Sequence, residues 1–250
     1  DPDQRIAEDR LRVLRFFRFH AWYGRPPFDG PSFEACRRNA GALRGLSGER
    51  VRKELLRTLE APAGADAADA MFDTGVLDHW LPEYAGSTRL RALIAREAAA
   101  GVAADGLRRL AAILPSAGDA GRIGKRLKLS TQESVRLSVL LADEPPLDLA
   151  GGPVAWRAAL YRLGATVFVD RVLLAAGEPG DRQAALALAT AWTPPDLPVG
   201  GADALALGLR PGPAVGALLE AVEAWWIAGD FAADRAACLA ELARRAAGPA

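Results

Sequence analysis

Apolar residues recur at intervals of three and four along nearly the whole 250-residue chain, as in Val51, Leu55, Leu56 and Leu59, while runs alternating apolar with polar are absent. That pattern leads to helices. VFVDRVLL (167–174) has the composition of a strand, but its alanine-rich flanks make it a buried helix. Abundant alanine and an aromatic content of only 7% favour closely packed helices. Stop signals recur at GRPPFDGP (24–31), APAG (61–64), DEPPLDLAGGP (143–153) and TPPDLPVGG (193–201). Ser130-Thr131-Gln132-Glu133 has the form of a capping box and opens a helix. No repeat period emerges, which argues against a regular solenoid. The expected fold is all-α, a multi-helical elongated array with no regular repeat and with boundaries near 61 and 146.

Lys+Arg and Asp+Glu stand equal at 31 each, so the whole chain exerts no basic pull on polyanions and charge position matters more than charge total. Lysine occurs only at Lys53, Lys125 and Lys128; arginine supplies the rest of the positive charge. Cys36 and Cys238 are too few for a disulfide framework and read as two free, buried thiols in a reducing, cytoplasmic setting. No apolar run approaches the roughly 20 residues that span a bilayer, and no signal peptide is visible. His20 and His79 are the only histidines and read as ordinary surface or core residues.

The segment RIAEDRLRVLRFFRF (5–19) carries much charge beside much core. Wound as one helix over 4–22, it places Ile6, Val13, Leu14, Phe17 and Ala21 on a core stripe. Arg5, Asp9, Arg12, Phe16 and Phe19 fall on another side, with Glu8, Arg12, Arg15 and Arg18 in a neighbouring row. Asp9 and Arg12 are then one turn apart and point the same way. A solvated ion-pair face produces much of this, at about 0.3–0.5 kcal/mol per pair. It does not explain Phe16 and Phe19 on the charged side, which imply that something covers this face. From spacing alone, both the ion-pair face and a ligand-facing site stay open.

The same residues carry a resemblance. RIAEDRLRVLRFFRF resembles the neck helix of the class II tRNA nucleotidyltransferases, the CCA-adding enzymes, and of the related bacterial poly(A) polymerases. The family's Glu-Asp-x-x-Arg is matched by Glu8-Asp9-Arg10-Leu11-Arg12, followed by Arg15 and Arg18. LSGERVRKELLRTL (46–59) is similar to the family's Glu-Arg-x-x-x-Glu-Leu helix, and GVLDHWLPE (75–83) to its Gly-Leu-Leu-x-x-x-Leu-Pro-Glu stretch. GGADALALGLRPGPAVGALLEAVEAWWIAGDF (200–231) is similar to the C-terminal segment of many bacterial members. The resemblance implies a neck (1–60) that selects the nucleotide base, followed by an RNA-binding body (61–145) and an RNA-binding tail (146–250).

The resemblance implies that Asp9 and Arg12 select CTP and ATP without a nucleic-acid template. Cytosine and adenine both present an amino donor beside a ring-nitrogen acceptor; uracil and guanine present a carbonyl beside an N–H. A carboxylate only accepts and a guanidinium only donates, so the pair matches the first two bases and repels the others. Such a two-point match discriminates by about 1–3 kcal/mol. Arg15 and Arg18 are carried over as further nucleotide contacts, to the triphosphate; an ion pair of Arg15 or Arg12 with Glu8 is their alternative. Arg5 orients the Asp9 carboxylate, Glu8 buttresses an arginine, and Arg50 and Glu54, four apart on one helix, pair and support the neck.

The family transfers nucleotides with Mg2+ ions held by two carboxylates in an N-terminal head. Its Gly-Gly-x-x-Arg strand and Asp-x-Asp pair do not occur here in context; Asp1-Pro2-Asp3 matches only as letters. The expectation is a chain whose head is missing, with no catalytic and no metal residue of its own, inactive alone. For tRNA, GRIGKRLKLS (121–130) offers Arg122, Lys125, Arg126 and Lys128 with no acid, a backbone-binding patch; a solvated helix end is the alternative. Arg37, Arg38 and Arg44 form a weaker patch, and at least one of Trp225 and Trp226 is core. Competing functions are a bacterial poly(A) polymerase and, in another class, a noncatalytic all-helical RNA-binding or interaction module.

Overall fold

The computed structural model describes residues 1–115, 119–142 and 147–247, and among them the secondary structure is helical, with no strand. The chain forms two compact units, Asp1–Leu147 with Val169–Ala176, and Asp148–Phe168 with Gly177–Ala250. The expected boundary at 145/146 and the first four residues of DEPPLDLAGGP lie outside the described residues.

The first unit opens with a departure from the single helix expected over 4–22. α1 (Pro2–Glu8) and α2 (Leu11–Tyr23) are separated at Asp9, whose backbone is extended at φ −150° and ψ 105°. The Asp9 carboxylate accepts from the Leu11 amide at 3.1 Å, and its carbonyl accepts from the Arg12 amide at 3.0 Å. An aspartate short enough to bond the backbone just ahead of it competes with the helix and starts a new one. The core stripe survives the break: Ile6, Val13, Leu14, Phe17 and Ala21 are all buried.

α3 (Gly30–Asn39) begins under an Asp29 cap and runs into a 3-10 turn over Ala40–Gly45. Ser47 caps α4 (Gly48–Glu60), which is followed directly by α5 (Gly64–Asp73). α2 packs across both α4 and α5, against the buried Val51, Leu55, Thr58 and Leu59 row of α4. α6 (Thr88–Ala100), α7 (Gly106–Ala112), α8 (Ala120–Leu127) and α9 (Thr131–Ala142) complete the layer behind. α4 also meets α7 and α8. At Gly48 a Cβ would overlap the Arg126 carbonyl, so only glycine lets α4 start this close to the end of α8. The expected capping box is present at α9: Glu133 N–H donates to Ser130 Oγ at 3.2 Å, and Ser130 N–H donates to Glu133 Oε2 at 2.7 Å.

A buried ion network, unforeseen in the sequence, ties this unit together. Arg108 bonds Glu97 at 2.6 Å and Asp170 at 3.1 Å, Arg109 bonds Glu97 at 2.7 Å, and Arg136 reaches both Asp170 and Asp105. Asp170 comes from VFVDRVLL, which is helical as expected, with Phe168, Val172 and Leu173 buried.

That run closes α10 (Gly152–Leu174), which is interrupted at Gly164, φ 73° and ψ 160°, a conformation open essentially to glycine alone. The second unit adds α11 (Pro179–Ala191), α12 (Gly201–Ala206), α13 (Pro213–Ala228) and α14 (Arg235–Ala246). Its core gathers Val199, Ala204, Val222, Trp226, Cys238 and Leu242. Trp226 is the buried member of the tryptophan pair, and its indole N–H donates to the Ala233 carbonyl at 2.9 Å. Both cysteines are free and buried.

Candidate functional site

The charged residues of α1 and α2 meet those of α4 in one cluster. The pattern that places Val51, Leu55 and Leu59 in the core turns Arg50, Lys53, Glu54 and Arg57 toward α2 or its rim. Glu54, nine-tenths buried, accepts Arg18 Nε at 2.6 Å and Arg15 Nε at 3.4 Å. Asp9 accepts Arg50 at 3.1 Å and Arg15 at 3.5 Å. Arg15 therefore bridges Asp9 and Glu54. Burial pushes the Asp9 carboxyl upward, but the Leu11 amide, then Arg50 and Arg15, outweigh it and hold it below the usual carboxylate range. Asp9 is thus ionised at neutral pH.

Glu8 buttresses arginines as expected: Arg12 bonds it at 2.9 Å, the ion pair held open as the alternative for this row. Arg5 also bonds Glu8, at 3.2 Å, so it does not orient Asp9; the extended Asp9 backbone removes the helical register that set the two one turn apart. Arg50 and Glu54 do not pair with each other. Each instead reaches across to α1 and α2, one to Asp9 and the other to Arg15 and Arg18.

Two clefts flank the cluster. One, of about 410 Å³, is lined by Arg15, Arg18, Phe19, Lys53, Glu54 and Arg57. The other, of about 350 Å³, includes Arg5, Arg12, Phe16 and Cys36. The Cys36 thiol is pushed up to about 12 by burial and then by Asp3, so it is inert as a nucleophile. Phe16 touches Phe17 and Phe28, and Phe19 is half exposed.

Of the basic patch, Lys125 is exposed, Arg122 pairs with Asp119 at 3.3 Å, and Arg126 bonds Glu83 at 2.6 Å. Lys128 ends α8 in the left-handed region, and its carbonyl accepts from Arg52. The acid missing from the local sequence is supplied to Arg126 by a residue 43 positions away. In the second patch, Arg38 pairs with Asp3 and Arg37 lies near Glu34.

Asp1 and Asp3 do not fit a metal: both Asp3 oxygens are taken, by Arg38 at 2.6 Å and Asn39 at 2.7 Å, and Asp1 caps α1. No group of three or more His, Cys, Asp or Glu able to hold a metal ion occurs among the described residues. His20 stacks on Phe28, and His79 is exposed. No helix among the described residues is long and apolar enough to cross a membrane.

Residues 28–87 match the family described as "Probable RNA and SrmB-binding site of polymerase A". The mouse protein "CCA tRNA nucleotidyltransferase 1, mitochondrial" is 29% identical over 238 residues, covering 89% of this chain and 52% of the relative. The "CCA-adding enzyme" of Bordetella pertussis is 34% identical over 142 residues, 55% of this chain and 38% of the relative. Among solved structures, the Bacillus stearothermophilus CCA-adding enzyme in complex with CTP aligns over 98% of this chain and 64% of that one, with TM-score 0.72 and 21% identity. The Thermotoga maritima CCA-adding enzyme complexed with tRNA aligns over 95% and 61%, with TM-score 0.61 and 17% identity. The match spans 52% of the mouse relative's length and 38% of the Bordetella pertussis relative's.

The chain shares its helical fold with these structures and carries an arginine row clasped by two carboxylates. The curated relatives it resembles over most or half of its length are CCA-adding enzymes, and the matched family description concerns polymerase A.

Proposed function

We propose that this chain is the nucleotide-selecting and tRNA-binding portion of a CCA-adding tRNA nucleotidyltransferase, which adds C, C and A from CTP and ATP without a nucleic-acid template. The relatives named as CCA-adding enzymes favour that reading. The observation that carries it is the spare hydrogen-bonding capacity of Asp9 and Arg12. Asp9 spends Oδ1 on the Leu11 amide and Arg50, while among the described residues Oδ2 has only the 3.5 Å contact with Arg15. Held ionised, Oδ2 can only accept, as an exocyclic amino group requires. Arg12 commits Nη1 to Glu8, leaving Nε and Nη2 to donate to a ring nitrogen. Arg15 and Arg18 are assigned to the triphosphate, with Glu8, Arg50 and Glu54 supporting. Asp9 and Arg12 bond different partners here, so base selection requires that a nucleotide bring both to one edge.

Arg122, Lys125, Arg126 and Lys128 are assigned to the tRNA backbone, Lys125 foremost because it is exposed and makes no ion pair among the described residues. In this reading residues 1–60 act as neck, 61–145 as body and 146–250 as tail. Transfer itself is assigned to a head domain with its Mg2+, acting in the cytoplasm.

The test is nucleotide protection of residues 5–19 by amide exchange, with a catalytic head supplied. CTP and ATP should protect this segment more than GTP and UTP. Asp9→Asn should narrow the difference by about tenfold or more, the value of a lost two-point match of about 1–3 kcal/mol. Equal protection by all four nucleotides would replace the proposal with a noncatalytic RNA-binding module. Protection by ATP without CTP would select a poly(A) polymerase, the alternative that the matched family description favours.

A further inference from the structure

α4 makes two sets of contacts on opposite faces. Arg50 and Glu54, one turn apart, hold Asp9, Arg15 and Arg18. Gly48 and Arg52, also one turn apart, lie about 200° around the helix from them and meet the turn that joins α8 to α9. Lys125 and Lys128, assigned to tRNA above, stand in and beside that turn. Both are exposed and make no ion pair among the described residues.

The turn needs holding from outside. Lys128 sits in the left-handed region, at φ 53° and ψ 47°, where a residue with a side chain persists when its surroundings over-determine it. Its own N–H reaches the Lys125 carbonyl only at 3.4 Å, while the next amide, Leu129, donates to the Gly124 carbonyl at 2.9 Å. Arg52 supplies the constraint. Its Nη1 donates to the Lys128 carbonyl at 2.6 Å and to Glu133 Oε2 at 3.0 Å. The same Glu133 oxygen accepts the Ser130 N–H at 2.7 Å. One guanidinium nitrogen thus ties the left-handed residue to the cap of α9. Gly48 permits the approach, since a Cβ there would overlap the Arg126 carbonyl and crowd Lys128 Cγ.

We propose that Arg52 is a positioning residue for RNA: it holds the α8–α9 turn so that Lys125 and Lys128 present their charges together to the phosphate backbone, without touching RNA itself. Because Arg52 rides on the helix whose other face holds Asp9, Arg15 and Arg18, one element sets both the basic patch and the base-selecting cluster. This role rests on the assignment of Lys125 and Lys128 to tRNA and adds the residue that makes them act as a pair.

The test is fluorescence anisotropy of a labelled tRNA lacking its terminal CCA, titrated with the 250-residue chain across a salt series. Lys125→Gln and Lys128→Gln should each lower the logarithmic salt slope by about 0.9, one phosphate on a duplex stem. Arg52→Met should lower it by about 0.9–1.8, the loss of one or both contacts, with the helix content of the parent by circular dichroism. Arg52→Lys keeps a donor for the Lys128 carbonyl and should restore the parent slope. In a chain that already carries Lys125→Gln and Lys128→Gln, Arg52→Met should change the slope no further. Without RNA, Arg52→Met should speed amide exchange at Leu129 by about tenfold, the worth of a hydrogen bond with one charged partner. A further fall of about 0.9 in the chain lacking both lysines would overturn the proposal, because Arg52 would then be a phosphate contact itself. So would an Arg52→Met chain with the slope and the Leu129 exchange of the parent, which would leave the tRNA assignment standing if the lysine variants still lower the slope. Unchanged slopes in both lysine variants would remove that assignment, and this role with it.

Discussion

Glu54 is a nearly buried carboxylate with two arginines on it, and its charge decides how both are aimed. Because Arg15 and Arg18 each give it Nε, their terminal nitrogens are left free of Glu54. Glu54→Gln would leave one acceptor oxygen and put an amide donor against the second guanidinium. Arg15 is 42% exposed and solvent relieves part of that mismatch, so the expected loss is about 1–2 kcal/mol, within the range for a hydrogen bond to a charged group. Urea unfolding followed by circular dichroism measures it; an unchanged midpoint would mean that packing alone sets the arginines. At this scale the sequence told which residues meet but not which pairs form. The core stripe of Ile6, Val13, Leu14, Phe17 and Ala21 was legible because burial follows periodicity. The Arg12–Glu8 pair was among the readings, but the partners of Asp9 were not, because arginines of α2 and of α4 lie within its reach and only the backbone break at Asp9 decides among them.

Elements are held in place by their ends as much as by their faces. The last turn of α4 offers carbonyls that no residue of its own helix can satisfy. Arg109 of α7 satisfies them, donating Nη1 to the Leu59 carbonyl at 2.7 Å and to the Ala61 carbonyl at 3.0 Å, while its Nε bonds Glu97 at 2.8 Å. α4, and with it Glu54 and Lys53, is thereby pinned from behind the cluster. Arg109→Met should cost about 3–5 kcal/mol, the penalty for breaking a buried pair and stranding its partners. Arg109→Lys should recover only part, because an ammonium lacks the planar fork that spans these acceptors. A loss no larger than that of an exposed pair, about 0.2–1 kcal/mol, would show that α4 is positioned by apolar packing instead. Local devices such as the Ser130 capping box were readable since both partners sit three residues apart. The Arg109 clamp was not, since its carbonyl acceptors lie about 50 positions away and carry no side-chain signature.

Over the whole molecule, arginine supplies nearly all the positive charge, and that makes stability asymmetric in pH. Carboxylates in both units are held below their usual range. Asp230 is held there chiefly by Arg157, Asp203 by Arg235 and then the Gly200 amide, and Glu241 by Arg244 and then Arg245, down to about 2. At Asp69 and Asp105 burial pushes upward and is outweighed, by Ser87, Tyr84 and Arg91 in the first case and by the Arg108 amide and Arg136 in the second. Each such group is ionised when folded at a pH where the unfolded chain, titrating near 4, already binds protons. The unfolded state then holds more protons, and stability falls as pH drops through the folded values. On the alkaline side the guanidiniums keep their charge. What titrates there includes groups raised by burial: Cys36 to about 12, Cys238 upward, Tyr84, assisted by Asp69, upward, and Tyr161, assisted by Glu223, to about 12. The unfolded forms lose their protons first, near 8.5 for a thiol and 10 for a phenol, so stability falls again as pH rises past about 8.5. Urea midpoints measured from pH 2.5 to 10.5 should therefore form a plateau between about pH 5 and 8, with a steep acid limb built from many carboxylates and a shallower alkaline limb built from a few thiols and phenols. A midpoint that held constant from pH 5 down to 3 would contradict the arginine–carboxylate pairing throughout both units, because that pairing cannot exist without the acid limb.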